Sequence, residues 1–153
     1  MDTILALVEE LLAELGDEGQ QFAQVDREKL YTDIERNLDP GSVSGSGSGR
    51  FLALLARDES DTPIGVLTLS TSFALYAGGE YGVIDEMYVR PEHRSRGVGR
   101  ALVERAVAVA RDKGWYRLDV TAPENESGER ALRFYQELGF SFTGPKLRLL
   151  VGS

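Results

Sequence analysis

Apolar residues recur at helical spacing near the start of the chain. Between residues 4 and 15 they occupy positions 4, 5, 7, 8, 11, 12 and 15, which is the pattern of an amphipathic helix. A second helix is predicted from Asp26 to Leu38, because apolar residues at positions 30, 34 and 38 form one stripe. Asp39-Pro40-Gly41 would end it, since proline cannot continue a helix.

The pattern changes to strands in the middle of the chain. Residues 50–57 form a short apolar run and residues 64–76 are rich in β-branched side chains, so both are predicted strands. Gly78-Gly79 provides a hairpin turn into a third strand over residues 80–89. The rest predicts a helix, a strand, a helix and a final strand pair, over residues 97–113, 115–122, 126–138, 140–143 and 146–151. This order predicts an α/β fold built on a mixed sheet.

Composition places the chain among ordinary globular proteins. Its 153 residues, 42% hydrophobic and 27% charged, predict a single domain over residues 1–153. Residues 41–49 contain only glycine, serine and one valine, which predicts a flexible loop. No apolar run is long enough to span a bilayer and no secretory leader is visible, so we expect a cytoplasmic protein without a membrane partner.

Charge and the rare residue types narrow the chemistry. A formal net charge of −8 argues against a nucleic-acid partner and is compatible with a cationic substrate. With no cysteine and one histidine, a thiolate nucleophile is excluded and a metal cage of these residues is not expected. Five of the seventeen basic residues nevertheless fall between Arg90 and Arg105, which indicates a local anion site.

The stretch from Ile84 to Arg100 holds that site. It reads as a strand, a basic turn and a helix start that contains Gly97 and Gly99. Glycine lets the backbone approach a ligand closely, and the first amides of a helix have no internal partners. Arginines at positions 94, 96 and 100 surround this point. The combination predicts a phosphate or pyrophosphate site.

Three other interpretations of this loop fit the sequence less well. A Walker-type phosphate loop requires Gly-Lys-Ser/Thr, but Arg100 and Ala101 follow Gly99. A dinucleotide fingerprint requires a small residue where Leu102 stands, although Asp119 lies at the distance expected for its acidic residue. A turn without a ligand does not explain three arginines at a helix start, where the dipole disfavours cations.

Two motifs resemble those of a known family. Arg94-Ser95-Arg96-Gly97-Val98-Gly99 resembles the Q/R-x-x-G-x-G/A motif of the GNAT superfamily of N-acetyltransferases, and residues 131–140 resemble its A-x-x-F/L-Y-E-x-L-G-F motif. The resemblance covers residues 50–150 and implies an α/β fold, with a mixed, largely antiparallel sheet flanked by helices. That family usually begins with a strand. Only three residues precede Ile4, so we expect this strand to be absent, truncated or supplied by a neighbouring chain.

The resemblance also implies the cofactor and the residues that bind it. Acetyl-CoA would be the donor and coenzyme A the product. The backbone of residues 87–89 would pair with the pantetheine arm, and that of residues 94–100 would hold the pyrophosphate. Asn125 is a further candidate for the cofactor arm, but the family's asparagine position corresponds to Gly128. The predicted cofactor-binding residues are Met87, Tyr88, Val89, Arg94, Ser95, Arg96, Gly97, Val98, Gly99, Arg100 and Asn125.

Glu86 and Tyr135 are the candidate catalytic residues. Glu86 lies in an otherwise apolar strand, where a carboxylate is costly unless it faces solvent or a cleft. It would take the amine's proton, unless it simply lies on the wet face of the sheet. Tyr135 matches the family's tyrosine and would protonate the leaving sulfur; the alternative is a tyrosine that only packs. Asp85, with Glu86, would hold a cationic substrate, although strand alternation places it on the opposite face unless a bulge intervenes.

Two functions remain open from the sequence. The first is an N-acetyltransferase that moves an acetyl group to a primary amine, a small molecule or polyamine, by direct attack in a ternary complex. The second is a non-catalytic acyl-CoA-binding or regulatory module of the same fold, which Gly128 in the asparagine position and the missing strand favour. An open strand edge would also allow a homodimer.

Overall fold

The structure, a computed structural model, describes residues 2–15, 28, 30, 49–122 and 126–152. Of the predicted second helix, only Glu28 and Leu30 belong to this part, and both are helical. The predicted loop over residues 41–49 lies outside it except for Gly49, and Asn125 also lies outside it. The described chain divides into two compact units, Met1–Val120 and Thr121–Ser153.

A four-stranded mixed sheet forms the centre of the first unit. Its strands are β1 (Phe51–Arg57), β2 (Pro63–Ala74), β3 (Gly79–Val89) and β4 (Leu118–Val120), in spatial order β1-β2-β3-β4. The first three are antiparallel neighbours, while β4 lies parallel to β3. The predicted hairpin between β2 and β3 is present: a short 3₁₀ turn leads into Gly78, whose φ of +77° suits glycine.

Helix α1 (Asp2–Leu15) packs on the sheet through its predicted apolar stripe. Ile4, Leu7 and Val8 contact Val66 of β2 and Tyr88 of β3 in one buried cluster. Leu7 has no exposed surface, and full burial of such a side chain contributes about 1.5–3 kcal/mol. Among the described residues no strand precedes α1, and β1 lies at the edge of the sheet.

Helix α2 (Val98–Lys113) follows β3 and buries a second stripe, consisting of Leu102, Val103, Ala106 and Ala110. Its end differs from the sequence prediction. Trp115 was expected to begin a strand, but its amide donates to the Ala110 carbonyl (2.9 Å) and completes the helix cap at Gly114. Strand β4 is therefore limited to Leu118–Val120 instead of the predicted 115–122.

The second unit contains α3 (Glu126–Glu137), close to its predicted bounds. Gly139 has a φ of +100°, and the amide of Phe140 donates to the Tyr135 carbonyl at 3.0 Å, which ends the helix. The predicted strands 140–143 and 146–151 are wrong, because residues 140–152 have no regular secondary structure. Alternating apolar residues alone do not make a strand: no described strand pairs with this segment, so it lacks a hydrogen-bonded ladder. No helix in the described ranges has the length and apolar character to cross a bilayer.

Candidate active site

Strand β3 carries a bulge at the predicted acidic pair. Thr68 of β2 is the register partner of Glu86, but the next residue, Leu69, pairs with Ile84, so the register skips Asp85. A bulge bends the strand and redirects the side chains that follow it. Asp85 is exposed and Glu86 is half-buried. After the bulge, Glu86 shares its face of the sheet with Tyr88, which packs against α1.

Thr68 makes two hydrogen bonds with Glu86. Its hydroxyl donates to the Glu86 carboxylate, and the same oxygen accepts the Glu86 backbone N–H at 3.0 Å. Burial raises the pKa of Glu86 above its ordinary value, the Thr68 bond opposes this shift and the negative charge of Asp85 adds to it. A carboxylate with a raised pKa is a stronger base, and this is the property that proton removal from an amine needs.

Strand β3 extends well past its pairing with β4. That pairing covers only Gly82, Val83 and Ile84. The amide of Arg90 donates to the Ile64 carbonyl (2.9 Å), and the antiparallel alternation then directs the backbone groups of Met87 and Val89 away from β2. Among the described residues, the register of β3 with β4 thus ends at Ile84, two residues before the predicted acid–base residue.

The loop after β3 forms a concave row of amides. A 3₁₀ turn, Pro91–His93, is followed by Ser95 with a φ of +62° and by Gly97 with a φ of +82°. Gly97 is the N-cap of α2, and no side chain caps that helix. Within the described part of the chain, nothing accepts a hydrogen bond from the amides of residues 95–100. Successive amides with such torsions make an anion-binding concavity, and the helix dipole strengthens it.

The three arginines of this loop have different surroundings. Arg94 donates to Glu14 of α1 at 2.8 and 3.1 Å, and to the Val89 carbonyl at 2.9 Å. Arg100 pairs with Glu104 one helical turn on, at 3.0 Å. Arg96 is exposed and has no ion pair with any described residue. The sequence grouped all three around an anion, whereas the structure holds two of them in ion pairs within the chain.

Tyr88 connects α1 to the same loop. Its hydroxyl donates to Glu14 at 3.4 Å, and the Arg94 guanidinium lies over its ring, 5.5 Å from the centroid. Burial, followed by the negative charges of Glu14 and Glu10, raises the pKa of Tyr88 to about 12. Its side chain therefore packs against α1 and anchors the helix on the sheet.

Tyr135 lies in the second unit, on α3. Its ring makes edge contacts with Phe134 and Phe140, at centroid distances of 5.1 and 5.3 Å. Burial raises its pKa to about 12, which keeps the phenol protonated at neutral pH. Gly128, in the family's asparagine position, is buried on the same helix.

Sequence reasoning missed two residues of this region. Thr68 is 1% exposed and is a buried polar side chain of the sheet. The only sign of a role for Thr68 in the sequence was a threonine inside an apolar strand, and the high β propensity of threonine explains that equally well. Glu14 lies near the end of α1, and its bonds to Arg94 and Tyr88 depend on how α1 packs on the sheet.

The sheet, the bulged third strand and the amide-lined loop before α2 together define an acyl-CoA N-acyltransferase type of fold. The model of the acetyltransferase (GNAT) family matches residues 7–140. The chain belongs to this family, and the predicted resemblance and fold class are thereby confirmed.

Relatives of known activity are similar over part of their length. The chain is 34% identical over 90 residues to the peptidyl-lysine N-acetyltransferase YjaB of Escherichia coli strain K12, covering 59% of this chain and 50% of that protein. It is 33% identical over 72 residues to the glucosamine 6-phosphate N-acetyltransferase of Trypanosoma brucei brucei, covering 47% and 46%. The chain thus spans about half the length of these curated relatives.

Solved structures share the fold. A GCN5-related N-acetyltransferase from Ralstonia eutropha JMP134 superposes with a TM-score of 0.76 at 20% identity, covering 99% of this chain and 92% of that chain. An aminoglycoside acetyltransferase, HMB0005, from an uncultured soil metagenomic sample has a TM-score of 0.72 at 24% identity, covering 97% and 92%.

Proposed function

We propose that this protein is an N-acetyltransferase that moves an acetyl group from acetyl-CoA to a primary amine, by direct attack in a ternary complex. The observation that carries the proposal is the position of Glu86. A carboxylate with a raised pKa lies at a strand bulge, in the strand that leads into an amide-lined loop.

The residues present fit the proposed donor. The amides of residues 95–100, which have no acceptor among the described residues, would hold its pyrophosphate. By its resemblance to the family, the backbone of residues 87–89 would pair with the donor's extended arm as an added strand does. When bound, the donor supplies an acetyl thioester, and the chain's own groups supply the proton transfers and hydrogen bonds.

The acceptor amine must first lose a proton. A lysine-like amine has a pKa of about 10.4 and is protonated at neutral pH. Glu86, directly or through water, takes the proton and leaves the nitrogen lone pair available for attack. A backbone N–H near Val89 would donate to the carbonyl oxygen as negative charge develops on it. Tyr135 would donate its phenolic proton to the departing sulfur, a role that rests on its match to the family motif.

A small amine or polyamine is the proposed acceptor. Asp85 and Glu86 together place two acidic groups at the bulge, and the net charge of −8 favours a cationic substrate. The relatives' names include peptidyl-lysine, glucosamine 6-phosphate and thialysine acetyltransferases, which all act on amines. Pairing of two copies along the β1 edge is proposed as the route to a homodimer.

Release of free thiol from acetyl-CoA, measured against a panel of amines, tests the proposal. Glu86→Gln and Tyr135→Phe should each lower kcat by about 10²-fold or more. Glu80→Gln, an exposed glutamate on the same strand, and Tyr116→Phe, an exposed tyrosine, are matched controls that should leave it unchanged. Tight binding of acetyl-CoA without thiol release for any amine would instead establish the non-catalytic binding module. An unchanged rate in Tyr135→Phe would remove the tyrosine from the mechanism.

A further inference from the structure

Thr68 contacts Glu86 from a position where a hydroxyl is costly unless it is satisfied. It lies in the centre of β2, is 1% exposed, and follows the fully buried Val66 and Leu67. An apolar side chain would pack there without any hydrogen-bonding requirement. The presence of a hydroxyl at this buried position is therefore explained by its hydrogen bonds, and both of these are with Glu86.

The two hydrogen bonds fix the direction of the hydroxyl proton. A threonine oxygen accepts through its lone pairs and has a single proton to donate. Because the Glu86 N–H occupies an acceptor site on Thr68 Oγ1, the O–H is directed to the Glu86 carboxylate. One side chain thus contacts both the backbone and the carboxylate of the same residue, at the bulge where the register skips Asp85.

We infer that Thr68 is a positioning residue that sets the rotamer and the basicity of Glu86 for proton removal from the acceptor amine. The inference rests on the proposed function, since it assigns Thr68 a role only if Glu86 is the base. Thr68 itself need not touch substrate. Its bond to the carboxylate favours the ionised form, while burial and Asp85 favour the protonated form. Thr68 therefore opposes the rise in the Glu86 pKa that burial and Asp85 cause.

A purely structural role is the competing explanation. In that case Thr68 would only satisfy the Glu86 amide at the bulge. Its loss would then lower stability without changing the pH at which Glu86 titrates. The two explanations consequently differ in a pH profile and not merely in the size of an activity loss.

The test compares Thr68→Val with Thr68→Ser. Valine keeps the shape and removes the donor, so the acidic limb of the kcat/KM–pH profile should move up by about one pH unit. Serine keeps the hydroxyl, and the limb should stay in place. Thr71→Val makes the same substitution at a half-buried threonine of β2 and should not move the limb. Thr68→Cys, with a weaker donor, should give an intermediate shift and serves if the valine variant does not fold.

A readout that does not need turnover separates this inference from the proposed function. The ¹³C chemical shift of the Glu86 carboxyl, assigned by its loss in Glu86→Gln, should titrate at a higher pH in Thr68→Val than in the parent. If Glu86→Gln keeps full activity, Glu86 is not the base in the proposed function, and this titration still reports on the Thr68–Glu86 pair. If Glu86→Gln is inactive but Thr68→Val and Thr68→Cys leave both the limb and the titration unmoved, the positioning role is overturned.

Discussion

Gly97 and Gly114 bound the same helix, α2, and both have left-handed backbone torsions, with φ of +82° and +75°. An added Cβ would meet nothing within 4 Å at either position. The two sites are thus alike in strain and in free space. They differ in that Gly97 lies in the row of amides proposed to bind pyrophosphate, whereas Gly114 donates to the carbonyls of Ala110 and Arg111.

Because Gly97 and Gly114 are alike in strain and free space, comparing an alanine substitution at each tests the anion site. Each change should lower the free energy of unfolding by about 1 kcal/mol, because an alanine Cβ is strained in the left-handed region. Only Gly97→Ala should also weaken coenzyme A binding, by about tenfold, since relief of the strain reorients the amides. Calorimetric titration of both variants with coenzyme A measures this. Equal affinities for the two variants would contradict an amide-lined site at residues 95–100.

Substitution of the loop arginines should affect different properties, ligand binding at Arg96 and stability at Arg94. Arg96→Ala should weaken coenzyme A binding about fivefold and reduce its salt dependence, because this guanidinium has no ion pair among the described residues. Arg94→Ala should mainly lower thermal stability. It removes the bonds to Glu14 and to the Val89 carbonyl, and such a half-exposed pair contributes about 0.2–1 kcal/mol.

Binding titrations at two salt concentrations and a thermal melt distinguish these outcomes. Arg100→Ala is a useful third variant, since its guanidinium is held by Glu104 one turn along α2. A larger loss of affinity in Arg94→Ala than in Arg96→Ala would mean that the Glu14 ion pair opens when the ligand binds.

Glu86→Gln should be at least as stable as the parent. The folded-state pKa of Glu86 is raised, chiefly by burial. Its contribution to stability is therefore complete below the unfolded-state pKa and is lost as the pH rises through the folded-state pKa. Glutamine does not titrate, so the difference in Tm between variant and parent should grow in the variant's favour from pH 4 towards neutral pH. A variant that is less stable at pH 7 than at pH 4, relative to the parent, would contradict the raised pKa.

Gly82 of β3 has room only for hydrogen. A Cβ there would lie 2.4 Å from the Trp115 ring and 2.6 Å from the Leu118 side chain. Gly82→Ala should therefore destabilise the protein by about 1–3 kcal/mol, as overpacking does. Trp115→Leu in the same chain should recover part of this loss, and a double-mutant cycle of unfolding free energies measures the coupling. Fully additive effects would show that Trp115 does not cover Gly82 in solution.

Much of the fold follows from local sequence. Helix α1 and the long helix α2 are recognisable from apolar residues at helical spacing, and Gly114 marks an end that its positive φ confirms. The strands β2 and β3 and the turn at Gly78 also follow from local signals, because β-branched runs and paired glycines indicate them within a few residues. The two motifs at residues 94–99 and 131–140 indicated the family for the same reason.

Other features depended on pairing between distant segments. The bulge at Asp85 is a property of the register between β2 and β3, so it cannot be predicted from the sequence of either strand alone. The shortened β4 results from Trp115 joining the end of α2, and the strands predicted beyond Phe140 have no described partner. The ion pair of Arg94 with Glu14 joins residues 80 positions apart.

The sequence by itself therefore determined the three helices α1, α2 and α3, the strands β1 to β3, the resemblance to the family, and the choice of Glu86 and Tyr135 as candidate catalytic residues. Only the tertiary structure decided the surroundings of Glu86. Periodicity and caps act over a few residues, whereas burial, the bulge and the Thr68 hydroxyl act on the carboxylate through the register of two strands. The basicity of an acid–base residue is fixed by such non-local contacts, so it cannot be derived from the strand that carries it.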